Sequence, residues 1–314
     1  MNNLIDFTNC EENLKTYNGA NGSKLGIIFN GEDYLLKFPP KPTKKTDLSY
    51  SNSCFSEYIS CQILKTLGFK VQDTMLGTYK NKIVVACKDF VKPNWYLADF
   101  ASFKNAIVDS RTNGVDTSIE EILDVIDNQE KFPIDSRELN NFFWKMFVAD
   151  SLLGNFDRHN GNWGFLINNT TKECEIAPIY DCGSCLFPQA DENMMKFVLA
   201  NKDEIEKRVY TYPISALKLN NVKINPFDFL INTSDKNCIK ALNEIQKKVD
   251  LEKINLVIDK TPYISDIHKT FVKTIIKERK ERILDIAVQK HSDKNNEKIG
   301  LQSTESSKHL LKKH

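Results

Sequence analysis

The sequence predicts an α+β protein in which a small strand-rich lobe precedes a larger, mostly helical one. Three observations carry that expectation. The chain has 314 residues, about twice a ~150-residue domain, so it holds two lobes or one large domain. Short apolar runs separated by turn signals fill residues 1–92, and helical periodicity takes over from Pro93.

In the strand-rich part, the runs 25–29 and 34–38 flank Asn30-Gly31, whose tolerance of positive φ makes the pair a strong hairpin signal. A loop rich in Pro and Lys follows at 39–46. Ser53 is read as the N-cap of a helix from Cys54 to Leu67, in which Phe55, Ile59, Ile63 and Leu67 recur every four residues and Gly68 takes the left-handed end. Further strands are expected at 73–79 and 82–87. Beyond Pro93, helices are expected at 118–129, 136–153, 191–208, 235–249 and 264–288. One hairpin interrupts them, 163–168 against 173–179. Residues 290–314 carry six Lys against three acidic residues and read as a solvated basic tail, a partner handle or an address. The division is therefore an N-terminal lobe at 1–92, a helical lobe at 93–289 and a tail at 290–314.

Composition excludes several function classes. Hydrophobic residues at 41%, with 27% charged, exclude a disordered chain. Lys and Arg total 43 against 42 Asp and Glu, so no basic field exists to make nucleic acid the main partner. No apolar run approaches the ~20 residues that span a bilayer, and Met1 to Asp6 lacks a secretory pattern. A cytoplasmic protein is expected. Eight cysteines include one close pair, Cys182 and Cys185, with no second pair to complete a zinc site, so reduced thiols are expected.

The segment from Gly154 to Asn162, reading GNFDRHNGN, is dense in polar residues between an apolar helix and a hairpin. Phosphoryl transfer needs such a set: an Asp that takes the proton of the attacking hydroxyl, and an Asn that offers a neutral oxygen to Mg²⁺. Asp157 and Asn162 stand five apart, the spacing of a kinase catalytic loop. A second metal carboxylate is required. If 168 faces 173 in the hairpin, 162 faces 179, and the strand returns Asp181 to Asn162. Asp181-Cys182-Gly183 then reads as a metal-site Asp-x-Gly, with Gly183 free to turn away from the strand.

The small lobe offers matching parts. Gly19, Asn21, Gly22, Ser23 and Lys24 form a glycine-containing loop whose backbone can approach phosphate oxygens. Pairing about Asn30-Gly31 sets 24 opposite 37, which brings Lys37 beside that loop, and Glu57 on the following helix is its natural partner. Lys88 and Phe90 lie where strands give way to helices and can offer a hinge to adenine. Taken singly, each has a bland reading: a turn, a strand-end lysine, a surface acid, a polar cap. His159 is read as orienting the loop, with Asp157 as the base. Order along the chain is what joins them.

At these residues the sequence resembles the HipA-like Ser/Thr protein kinases. Tyr34-Leu35-Leu36-Lys37-Phe38-Pro39, Ser56-Glu57-Tyr58, Ile179-Tyr180-Asp181 and the Asp-Arg-His-x-x-Asn run carry the likeness, over residues 12–290. The loop spelling is also similar to phosphatidylinositol kinases. The resemblance implies a bilobal protein-kinase-like fold and ATP- and Mg²⁺-dependent (or Mn²⁺-dependent) transfer to protein Ser or Thr. In it Asp157 is the base, Asn162 and Asp181 hold metal, Lys37 meets the ATP phosphates, and Lys88 and Phe90 form the adenine hinge. It further implies autophosphorylation, with Ser23 the nearest candidate. Strands beginning near residue 1 do not extend the likeness to an antitoxin partner. Export without a signal peptide, with action in host cells, is compatible with it. The rival readings are a lipid or small-molecule kinase and a nucleotide-binding signalling protein without catalysis.

Overall fold

The computed structural model describes residues 5–15, 24–39, 51–107, 114–128, 133–294 and 296. The N-terminal lobe is a five-stranded antiparallel sheet with one helix. Its elements are β1 (Glu11–Glu12), β2 (Lys24–Phe29), β3 (Glu32–Lys37), α1 (Ser53–Thr66), β4 (Thr74–Tyr79) and β5 (Lys82–Lys88), with strand order β1-β2-β3-β5-β4. The β2–β3 turn has positive φ at both Asn30 (51°) and Gly31 (79°), which fixes the register Lys24 opposite Lys37. Side chains alternate across the sheet. Leu35, Leu76, Val85 and Cys87 join the main core on the α1 face, while Ile27, Tyr34, Leu36, Val84 and Ala86 form a smaller core under Phe7. Lys37, two residues from Leu35, therefore shares the α1 face.

Helix α1 begins one residue before the expected start. Asn52 precedes it with no side-chain cap, and Ser53 is already helical. The helix stays in place by burial instead, with Phe55, Ile59, Ile63 and Leu64 in the core. The expected loop at 39–46 and the glycine loop at 19–23 fall outside the described residues, apart from Pro39.

The C-terminal lobe starts with a strand where helix alone was expected. β6 (Trp95–Asp99) pairs antiparallel with β7 (Gly164–Asn168), which pairs with β8 (Cys174–Ile176). Local pattern does not announce β6, since its middle residues Tyr96 and Leu97 are exposed. A partner far along the chain makes it a strand, Trp95 lying opposite Asn168. Then come α2 (Phe100–Ile107), α3 (Ile119–Asn128) and α4 (Ser136–Leu153). α4 is bounded at both ends: Asp135 accepts from the amides of Arg137 and Glu138, and Gly154 closes it at φ 64°.

The helix expected at 191–208 is broken. α5 (Glu192–Ala200) stops at Asn201, which caps α6 (Lys202–Glu206), and a π-helical turn covers Lys207–Thr211. A small hairpin, β9 (Lys218–Leu219) with β10 (Val222–Lys223), and helices α7 (Pro226–Asn232) and α9 (Leu251–Lys260) were not anticipated, whereas α8 (Lys236–Lys248) was. α10 (Asp266–Arg279) runs through a second π-helical stretch, Lys280–Asp285, into a helix at 286–294, five residues into the stretch read as tail. The main core is continuous from α1 through α4 to α8 and α10. No helix among the described residues is long and apolar enough to cross a membrane.

Candidate active site

Three charged side chains meet between the lobes. Lys37 at the end of β3 donates to Glu57 Oε2 at 3.0 Å and to Asp181 Oδ1 at 2.9 Å. Glu57 is almost wholly buried, and its second oxygen accepts the Cys182 amide at 3.0 Å. One carboxylate on α1 thus holds both the lysine and the backbone beside Asp181. Burial alone would lower the Lys37 pKa, but the Asp181 and Glu57 charges outweigh it and hold the ammonium well above the usual value. Lys37 in turn pulls Asp181 down to about 2, so this carboxylate stays ionised. Burial raises Glu57 against the pull of Lys37.

The hairpin delivers Asp181 as its register requires. Phe165 lies opposite Ile176 and Ile167 opposite Cys174, and Val71 bridges to Ile179, tying the segment after β8 to residues 70–72 that precede β4. Gly183 lies in the expected turn, but it is not the left-handed residue. The left-handed residue is Asp181 itself, with φ 56°, and a Cβ on Gly183 would lie 3.2 Å from Glu57 Oε2. Gly183 lies in the turn closed by the Cys185 amide on the Cys182 carbonyl, and its lack of a side chain also leaves room for the α1 carboxylate. All eight cysteines are free thiols, and Cys182 is buried, its Sγ accepting from Arg158 Nη2 at 3.4 Å.

Asp157 is half-exposed beside this cluster, with its pKa raised by burial and by Asp181, while His159 pulls the other way. His159 Nε2 stands 4.0 Å from Asp157 Oδ1. Its Nδ1 accepts the Gly161 amide at 3.0 Å, which leaves the ring proton on the nitrogen facing Asp157. Asn162 donates its amide nitrogen to the Asp157 carbonyl at 2.8 Å. That bond fixes the flip of the amide and turns Oδ1 away from the loop.

Sequence reasoning passed over the group underneath. Arg158, next to Asp157, points into the core with 3% exposure, against Asp150 with 5%. Its Nε donates to Asp150 Oδ2 at 2.9 Å. Asn155 donates to Asp150 Oδ1 at 2.9 Å and accepts the Asp157 amide at 3.1 Å. One signal was available: Asp150 is an acid among Phe147, Val148, Leu152 and Leu153, where a buried charge demands a partner.

Other expected residues scatter. Lys24 sits opposite Lys37 at the start of β2, its pKa lowered by burial and by that neighbour. Gly19, Asn21, Gly22 and Ser23 lie outside the described residues. Lys88 donates its amide to the Asp73 carbonyl, its carbonyl accepts from Gln72 Nε2, and its side chain pairs with Glu32 at 2.6 Å. Phe90 packs its ring 5.8 Å from that of Tyr180. A space of about 370 Å³ flanks this hinge on the side of residues 71–73, and neither Lys37 nor Asp181 lines it.

The HipA-like C-terminal domain family matches residues 19–252. Serine/threonine-protein kinase CtkA of Helicobacter pylori is 53% identical over 285 residues, covering 90% of this chain and 87% of the relative. The crystal structure of a Helicobacter pylori proinflammatory kinase CtkA superposes with a TM-score of 0.87 at 52% identity, covering 92% of this chain and 98% of the other. HipA in its Shewanella oneidensis complex with HipB and operator DNA has a TM-score of 0.56 at 15% identity, over 89% and 69%, and shares the fold alone. With a bilobal kinase-like fold, a family match over most of its length and a relative identical at half its positions, the chain belongs to the HipA-like C-terminal domain family and is a serine/threonine-protein kinase.

Proposed function

We propose that the inter-lobe cluster is the phosphate-transfer site, with ATP as donor and a Ser or Thr hydroxyl of a protein as acceptor. The observation that carries this is Lys37 bonded at once to Glu57 and Asp181, which joins a lysine of the small lobe to a carboxylate beside Asn162 and Asp157. Asp157, half-exposed with a raised pKa, is the base that takes the hydroxyl proton. His159 orients it from the ring nitrogen that carries the proton. Lys37 offers its charge to the phosphates, with Lys24 opposite it on β2, and Glu57 fixes Lys37. Phe90 lines the adenine hinge, at the end of the strand that Lys88 secures.

Asn162 Oδ1 and the ionised Asp181 fit a hard divalent cation, Mg²⁺ or Mn²⁺, which takes few protein ligands and shares the rest with phosphate. When bound, such an ion neutralises charge developing between the β- and γ-phosphates. The description of the Helicobacter relative as proinflammatory supports an acceptor in host cells, reached by export.

Transfer of labelled γ-phosphate to the protein itself and to a generic acceptor tests the reading. Asp157→Asn and Asp181→Ala should each lower the rate by about 10²–10⁴. Wild-type transfer in both would overturn it, and transfer to phosphoinositide in place of protein would replace the acceptor.

A further inference from the structure

We infer that Arg158 and Asp150 together are positioning residues that set the spacing of the two metal-binding segments, an inference that rests on the site proposed above. A guanidinium has five N–H donors in a rigid fork. All five are spent here. Nε and Nη2 bind the two oxygens of Asp150, at 2.9 and 3.4 Å, and Nη2 also meets Cys182 Sγ at 3.4 Å. Nη1 donates to two carbonyls, each at 2.6 Å: that of Asn162, and that of Tyr180, the residue before Asp181.

A single nitrogen therefore fixes the main chain at one proposed ligand and next to the other. These two segments are the catalytic loop and the stretch that follows β8, and are 18 or more residues apart in sequence. Asp150 extends the same hub to the base, because Asn155 bonds its carboxylate and accepts the Asp157 amide. Asp150 itself is anchored in the last turn of α4, whose flank is packed in the core. Asp157, Asn162 and Asp181 are thus indexed to one buried point. Lysine cannot replace arginine there, since three donors on a flexible stem cannot reach an acid, a thiol and two carbonyls at once.

The test compares wild type with Arg158→Lys and with the paired apolar change Arg158→Met, Asp150→Leu, which removes both charges and leaves neither buried alone. Binding of Mn²⁺ in the presence of a non-hydrolysable ATP analogue is followed by electron paramagnetic resonance. kcat and KM for ATP are measured across Mg²⁺ concentrations, and circular dichroism reports the fold. Folded variants should bind Mn²⁺ about 10- to 100-fold more weakly, with half-saturation by Mg²⁺ rising in step. KM for ATP at saturating metal should move far less than either.

A folded variant with wild-type Mn²⁺ affinity would overturn the inference, whatever its rate. Failure of both variants to fold would overturn it too, by reducing the pair to scaffold. Asp157→Asn and Asp181→Ala run beside them as a separate arm. Should those keep wild-type transfer, the site assignment falls. Should they lose it while the Arg158 variants bind metal normally, only the positioning role falls.

Discussion

Two ion clusters lie within a few residues of one another and are built on opposite terms. Asp150 and Arg158 are both closed off from water inside one lobe, with every guanidinium donor used. Lys37, Glu57 and Asp181 span two lobes, and the Asp181 side chain keeps 44% of its surface open. The first cluster can only hold. The second can exchange partners, because Lys37 bonds an exposed carboxylate that a phosphate can relieve. The difference teaches that burial separates charges that shape a site from charges that act in it.

The largest effect should come from breaking the closed cluster on one side. Arg158→Met leaves Asp150 buried and unpaired, at a cost of about 3–5 kcal/mol in unfolding stability by urea titration. The sign of its pH dependence follows from linkage. Burial already holds the native Asp150 pKa above its ordinary value against the pull of Arg158, and without Arg158 it rises further, so the native state binds the extra proton. The deficit should be full at neutral pH and shrink as pH falls through the raised native pKa, where a neutral Asp150 needs no partner. Adding Asp150→Leu should restore most of the loss at all pH values. An equal deficit at pH 4 and pH 7 would show that packing, not charge, is what Arg158 supplies.

The two clusters were unequally legible in the sequence, for physical reasons. Lys37 and Asp181 could be placed because a hairpin register is arithmetic: the Asn30-Gly31 turn sets 24 against 37, and the β7–β8 pairing carries the chain back from Asn162. Glu57 followed from helical spacing. Arg158 stood in the quoted motif, yet nothing local says that its side chain turns inward to Asp150. That direction is decided by how α4 and the segment after β8 pack around the loop. Gly183 was read as a turn residue and lies in one, but the left-handed conformation falls on Asp181, which no spacing rule announces. β6 needed a partner far along the chain to become a strand, and π-helical Lys207–Thr211 and Lys280–Asp285 follow no simple period.

The open cluster should show a different signature, lost rate with little lost stability. Lys37→Met removes the charge offered to phosphate and should lower kcat/KM by about 10²–10³, the usual cost of one donor aimed at developing charge. Unfolding stability should change much less than for Arg158→Met, because Asp181 is half-exposed and water can replace the lysine. Glu57 is the one member left buried without its cation, and it can protonate, its pKa being raised already. A stability loss as large as that of Arg158→Met would place both clusters in one class.

Lys15 marks the exposed limit of the series and should show the smallest effect. It pairs with Asp33 at 2.6 Å and with Asp89 at 2.9 Å, tying the segment after β1 to the hinge, but its side chain is 47% exposed. Exposed pairs contribute at most about 1 kcal/mol, and less when salt screens them. Lys15→Met should therefore shift unfolding stability by under ~1 kcal/mol at low salt and by nothing measurable at 1 M NaCl, where the Debye length is about 3 Å. The deficit of Arg158→Met should persist in the same salt, since ions do not reach a side chain with 3% exposure. Equal salt sensitivity in the two variants would mean that solvent reaches Arg158, and the separation of holding from acting charges by burial would fail at its sharpest point.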